Sequence, residues 1–187
     1  MTPEEGYQEA ERRIEEAQKL RTKELRLSKL WLTKIPSQIV QLFQLKYLYL
    51  SNNQIVEIPD AITKLSRLSK LDLDNNQIVE IPDEIAQLNN LRQLNLSNNQ
   101  IVEIPDEIAQ LSRLDRLDLN NNPLNPALAA VYEQGLSELK KYLIERAKSQ
   151  ITLNEGKLIL VGEGAVGKSC GRVLNLWKRV IINKCKS

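Results

Sequence analysis

Apolar and polar positions through the middle of the chain recur as a block. The segment Gln-Ile-Val-Glu-Ile-Pro-Asp occurs at 54–60, 77–83 and 100–106, a spacing of 23 residues both times. Projected outward, that period aligns Leu48, Leu71, Leu94 and Leu117 in one column and Leu50, Leu73, Leu96 and Leu119 in the next. Asn53, Asn76, Asn99 and Asn122 follow, then Ile55, Ile78, Ile101 and Leu124. Ile58, Ile81 and Ile104 continue the set, with Pro59, Pro82 and Pro105 beside them. A degenerate earlier copy supplies Leu25, Leu27, Leu32, Ile35, Pro36, Ile39 and Leu42, and carries Leu30 where the others have asparagine. A period of this length predicts stacked supersecondary units.

Within a copy, Leu71 and Leu73 are two apart and share one face of a strand, while Lys70, Asp72 and Asp74 take the other. Stacked copies then form a short parallel sheet with one face inward and one open. The second full copy offers seven core positions: Leu68, Leu71, Leu73, Ile78, Ile81, Ile85 and Leu88. No copy can enclose its own leucines, so each depends on its neighbours for burial. The asparagine column falls where the chain turns inward and leaves backbone groups unpaired. A side-chain amide carries both donor and acceptor to satisfy them, and leaving one such buried group unpaired costs about 1–3 kcal/mol. The prolines lack an N–H and suit the convex connection outside the ladder. The stacked carboxylates Glu57, Glu80 and Glu103 read as solvated charge copied by duplication.

A solenoid exposes core at both ends unless something covers them. At the front, Thr2-Pro3-Glu4-Glu5 reads as a helix start, with Thr2 as N-cap, Pro3 in the first turn and Glu5 closing a capping box. Tyr7, Ala10, Ile14 and Ala17 follow at helical spacing, which predicts a capping helix over about 3–19. At the back, the fifth copy breaks into Asn122-Pro123-Leu124-Asn125-Pro126. A short turn at 127–132 and Gly135 then precede helical spacing in Leu136, Leu139, Leu143, Ile144 and Ala147.

The run from Leu68 to Ile78 resembles the leucine-rich repeat, L-x-x-L-x-L-x-x-N-x-L, and the resemblance covers roughly residues 22–124. It implies an α/β leucine-rich-repeat solenoid with a parallel sheet on its concave face. The expected organisation is an N-terminal capping helix at 1–21, repeats at 22–125, a C-terminal cap or connector helix at 126–150 and a further segment at 151–187.

Composition narrows the chemistry. The chain has 187 residues and no histidine, so imidazole acid–base catalysis and His metal ligation are excluded, and no catalytic residue is assigned. Cys170 and Cys185 lie outside the repeats, so no disulfide framework is expected there and the expected setting is the reducing cytoplasm. The polar start does not read as a secretory leader, and no apolar run approaches the ~18 residues of a membrane span. The net charge of +2 is uneven: residues 150–187 carry seven Lys/Arg against Glu155 and Glu163, leaving −3 for the remainder. A basic body suited to nucleic acid is not expected.

That last segment has its own motif. Lys157-Leu158-Ile159-Leu160-Val161 reads as a strand leading into Gly162-Glu163-Gly164-Ala165-Val166-Gly167-Lys168-Ser169, which is G-x-x-x-x-G-K-S. In this pattern backbone N–H groups curl round a phosphate, the lysine reaches the terminal phosphates and the serine holds Mg²⁺. The order of helical cap, repeats, Gln-Gly-Leu connector helix and strand into this loop resembles the start of a Roco protein, in which such repeats precede a Ras-like GTPase domain called Roc. The resemblance implies that Gly162, Gly164, Gly167, Lys168 and Ser169 are nucleotide-binding positions, with Ser169 on Mg²⁺, and that GTP and Mg²⁺ are cofactors of the intact parental protein. Only 18 residues follow Ser169, no Asp-x-x-Gly is present among them, and Asn183-Lys184-Cys185-Lys186 lacks the carboxylate that pairs with guanine. No cofactor is therefore expected in this chain as it stands. GTP binding through 162–169 is the alternative function.

The primary expectation is protein–protein recognition on the concave face. Its outward rows are Glu24/Arg26/Ser28, Tyr47/Tyr49/Ser51, Lys70/Asp72/Asp74, Gln93/Asn95/Ser97 and Arg116/Asp118/Asn120. Tyr47 and Tyr49 are the expected anchors, being large, amphipathic and inexpensive to order. Lys70, Asp72, Asp74, Gln93, Asn95, Arg116 and Asp118 are expected to tune complementarity to a protein partner.

Overall fold

In the computed structural model, the backbone is described for residues 2–162 and side-chain surroundings for 2–149. The chain divides after Ala147 into two bodies, and the repeats, the N-terminal helix and the first turns of the last helix lie in the first.

Helix α1 (Pro3–Leu20) starts as its sequence dictates. The Thr2 hydroxyl accepts from the Glu5 N–H at 3.3 Å, and the Glu5 carboxylate accepts from the Thr2 N–H at 2.7 Å. Ala10, Ile14 and Ala17 are buried, as their spacing predicts, and Gly6 joins them. The helix meets the first coil so closely at Gly6 that an added Cβ would stand 1.7 Å from the Leu30 carbonyl oxygen. The position of this coil at the end of the stack accounts for the leucine in the asparagine column. The first copy has no preceding coil whose carbonyls an amide would bind, and Leu30 is buried beneath α1 instead.

Five strands follow: β1 (Glu24–Arg26), β2 (Tyr47–Tyr49), β3 (Lys70–Asp72), β4 (Gln93–Asn95) and β5 (Arg116–Asp118). They pair in chain order, all parallel, and the register aligns residues 23 apart: Leu25 with Leu48, Leu48 with Leu71, Leu71 with Leu94, Leu94 with Leu117. The ladder continues past the strands, with Leu50 donating to the Asp72 carbonyl and Leu73 to that of Asn95, both at 2.8 Å. All seven core positions of the second full copy are buried.

The asparagine column stitches each coil to the one before it. Asn99 Oδ1 accepts from the Ile78 N–H at 2.9 Å, while its Nδ2 lies 3.0 Å from the carbonyls of Leu73, Leu96 and Ser97. Asn53, Asn76 and Asn122 repeat the arrangement. On the far side from the sheet, a single 3-10 turn closes each coil, at Ser37–Gln41, Asp60–Lys64, Asp83–Gln87 and Asp106–Gln110. Each turn is preceded by a proline, whose carbonyl accepts from an isoleucine three residues on, as Pro59 does from Ile62 at 2.9 Å.

The last coil is covered by α2 (Pro126–Tyr132) and the first turns of α3 (Leu136–Gly162). Asn125 caps α2, its side chain accepting from Leu128 N–H at 2.8 Å, and the Tyr132 hydroxyl accepts from Leu119 N–H at 3.0 Å. Gly135, at φ 103°, makes the break before α3. Leu139 and Leu143 are buried, but Ile144 is 45% exposed and does not belong to the inward stripe. Polar groups complete the cover. Lys140 Nζ donates to the Leu111 and Leu114 carbonyls at 2.7 and 3.1 Å. The Arg146 guanidinium holds Asp106 at 2.6 Å, Glu103 at 2.9 Å and the Ile104 carbonyl at 2.6 Å.

One expected element is overturned. Lys157–Val161, read as a strand, is helical, because α3 runs on to Gly162. A strand must find a neighbour for its N–H and C=O groups, whereas a helix pairs them within one segment.

Candidate protein-binding face

The strand register decides which side chains share the open face. Side chains alternate along each strand, so burying Leu48, Leu71 and Leu94 turns Tyr47/Tyr49, Lys70/Asp72 and Gln93/Asn95 outward together. Arg116 and Asp118 of β5 extend the face, and Asp74 stands just past the end of β3. The structure thus brings all nine expected contact residues onto one surface.

Several of these side chains are already held. Tyr49 is flanked by two cations, with the Arg26 guanidinium 4.5 Å and the Lys70 ammonium 5.1 Å from its ring centroid. Arg26 in turn pairs with Glu24 at 2.6 Å. Asp72 Oδ1 accepts from Asn95 Nδ2 at 3.1 Å, and Asp74 Oδ1 accepts from Asn98 Nδ2 at 2.7 Å. The Ser97 hydroxyl lies 2.8 Å from Asp74 Oδ1 and 2.7 Å from Asn95 Oδ1. Asp118 accepts from the backbone and side chain of Asn120 at 3.1 and 2.8 Å. Tyr47, by contrast, is 39% exposed, with its ring available. A docking surface whose polar groups are pre-ordered loses less entropy on binding.

Sequence reasoning placed the tyrosines, Arg26 and Lys70 on one face but missed that the two cations bracket the Tyr49 ring. The signal was present: Arg26 aligns with Tyr49 in the 23-residue register, and Lys70 lies one strand over.

Of the expected nucleotide positions, Gly162 is the last residue of α3. Gly164, Gly167, Lys168 and Ser169, the last also the expected Mg²⁺ ligand, lie outside the described residues.

The comparisons with known proteins match this architecture. The family model for the leucine-rich repeat region matches residues 20–141. This chain belongs to the leucine-rich-repeat family.

Among solved structures, a leucine-rich-repeat protein of Leptospira interrogans is 34% identical with a TM-score of 0.58, over 66% of this chain and 38% of its own. The BIR3–SERK2 complex from Arabidopsis thaliana is 35% identical with a TM-score of 0.50, over 54% of this chain and 56% of that one. The BIR2 ectodomain from the same plant is 35% identical with a TM-score of 0.50, over 54% and 55%. The chain therefore spans well under two thirds of these proteins. No curated protein matches it. The matched residues 20–141 take in all five strands, the four 3-10 turns and α2. Among the described residues, no helix is long and apolar enough to cross a membrane.

Proposed function

We propose that this leucine-rich-repeat chain is a protein-recognition module whose concave face docks a protein partner, with Tyr47 and Tyr49 as anchors and Lys70, Asp72, Asp74, Gln93, Asn95, Arg116 and Asp118 setting complementarity. The observation that carries the reading is the Tyr49 ring held between Arg26 and Lys70 beside the open Tyr47 ring. Buried aromatic anchors dominate binding energy at protein interfaces. One solved neighbour, BIR3–SERK2, is itself a complex of two proteins, which supports a partner of that class. Neither nucleic acid nor membrane is part of the reading.

The test is selection from a phage-displayed peptide library on the intact chain, followed by titration of recovered peptides. Tyr47→Ala/Tyr49→Ala should weaken them at least tenfold, whereas Val56→Ala/Val79→Ala, on the edge beyond the asparagine turns, should leave them within twofold. Equal binding to both variants contradicts the proposal.

The wider setting we infer is a cytoplasmic, Roco-type GTP-binding signalling protein. The run Gly162–Ser169 supports it, as does the absence of cysteine from the repeats. GTP binding by this chain alone is the less favoured reading, since helix stands where the strand feeding such a loop would be. Titration with a fluorescent guanine nucleotide and Mg²⁺ should show no saturable binding at micromolar concentration; saturation there would establish the alternative.

A further inference from the structure

The rim where the strands begin carries a second surface, separate from the open face except for Tyr47. There Lys46, Arg67, Arg92 and Arg113 surround an open cleft of about 390 Å³, with Ser69 and Asn90 between them. The repeat builds it: positions 46, 69 and 92 form one column and 67, 90 and 113 another, each spaced by 23. Coils stack about 4.8 Å apart, so the four cations fall within a few coils of one another.

Their surroundings leave most of that charge uncompensated. Among the described residues, the side chains of Lys46 and Arg67 take part in no ion pair or hydrogen bond, and both are exposed. Arg113 is oriented by donating to Asn90 Oδ1, whose Nδ2 donates to the Ser66 carbonyl at 2.8 Å. The acid at this rim is Asp115, 3.9 Å from Arg92, with both side chains about 60% exposed. The cluster is not a by-product of composition, because residues 1–149 sum to −3. Charge is segregated, with Glu57 and Glu80 exposed on the flank beyond the strand ends.

We propose that this cleft binds an acidic segment of a protein partner, an extended Asp/Glu-rich stretch running along the rim from Lys46 to Arg113. Carboxylates on alternate residues of an extended peptide lie about 6.6 Å apart, close enough to meet cations on successive coils. The chemistry favours peptide over single-stranded nucleic acid. Base recognition uses a series of aromatic platforms, and Tyr47 is the one aromatic side chain bordering the cleft.

The experiment is fluorescence anisotropy with a fluorescein-labelled decaglutamate peptide on the intact chain at low salt. Lys46→Ser/Arg67→Ser, which removes no bond seen in the structure, should weaken binding at least tenfold. Two variants removing the same charge elsewhere, Lys19→Ser/Lys64→Ser and Lys184→Ser/Lys186→Ser, should stay within twofold. Affinity should fall steeply with added salt. Equal weakening in all three variants, no binding by the native chain, or tighter rim-dependent binding of decauridylate than of the peptide would each overturn the proposal. Peptide binding with intact salt dependence but no effect of Tyr47→Ala/Tyr49→Ala on library peptides would defeat the concave-face reading alone.

Discussion

A single asparagine per coil does work that no leucine can replace. Asn99 is 3% exposed and satisfies the N–H of Ile78 together with carbonyls of its own and the preceding coil. Asn99→Leu leaves those groups buried without partners, so a loss of about 3 kcal/mol is expected, measured as a lower urea midpoint. An unfolding free energy within about 0.5 kcal/mol of the native chain's, the range of a neutral surface substitution, would contradict the role assigned to the column. The neighbouring column was not legible as special. Asn52, Asn75, Asn98 and Asn121 sit at φ 53–57°, the left-handed region that asparagine tolerates better than other non-glycine residues. In the sequence they look like mere companions of Asn53, Asn76, Asn99 and Asn122, because duplication copies both columns equally. Backbone angle and burial together separate the column that turns the chain, exposed at Asn75 and Asn98, from the column that bonds it, buried at Asn76 and Asn99.

At the scale of elements, the repeat was readable because leucine spacing and strand register are the same fact, and the seven core positions of the second full copy are all buried. The caps were readable in part. Helix α1 was visible in its capping box and apolar stripe, but a glycine carries no hydrophobic signal, so the tight approach at Gly6 was not. The polar half of the C-terminal cap, Lys140 and Arg146, was hidden for a similar reason: long charged side chains at these positions ordinarily face water. The apolar run at 157–161 misled because strand and helix share that signature at short length. The α1 cap also carries a pH dependence. Hydrogen bonds from Arg12 and then Arg13 hold the Glu9 carboxyl down from its ordinary 4.5 to about 2, and Arg13 also donates to the Arg26 carbonyl of β1 at 2.9 Å. A carboxyl depressed by folding contributes stability above its unfolded pKa and loses it as pH falls through the folded one. The stability difference between the native chain and Glu9→Gln should therefore be constant from pH 6 to 8 and shrink between pH 4.5 and 2, in urea titrations. A constant difference across that window would contradict the pairing.

In the whole repeat body each leucine-lined coil is folded because its neighbours bury it, and the surfaces proposed for recognition exist only on the stack. Such stacks behave as nearest-neighbour systems, and a short one has too few coils for an end to persist when the middle is lost. Recognition was legible to the extent that it follows from the register. The open face could be listed residue by residue, whereas the basic rim could not, since its cations come from two columns that converge only in three dimensions. The most direct measurement uses Trp31 in the first coil as a reporter, in a Trp177→Phe background that leaves it the single tryptophan. Leu94→Ala, two strands beyond β2 and fully in the core, should cost about 2–5 kcal/mol. The Trp31 fluorescence midpoint in urea should then fall together with the far-ultraviolet circular dichroism midpoint. An unchanged Trp31 midpoint beside a lowered dichroism midpoint would show coils that stand alone, and would contradict the account.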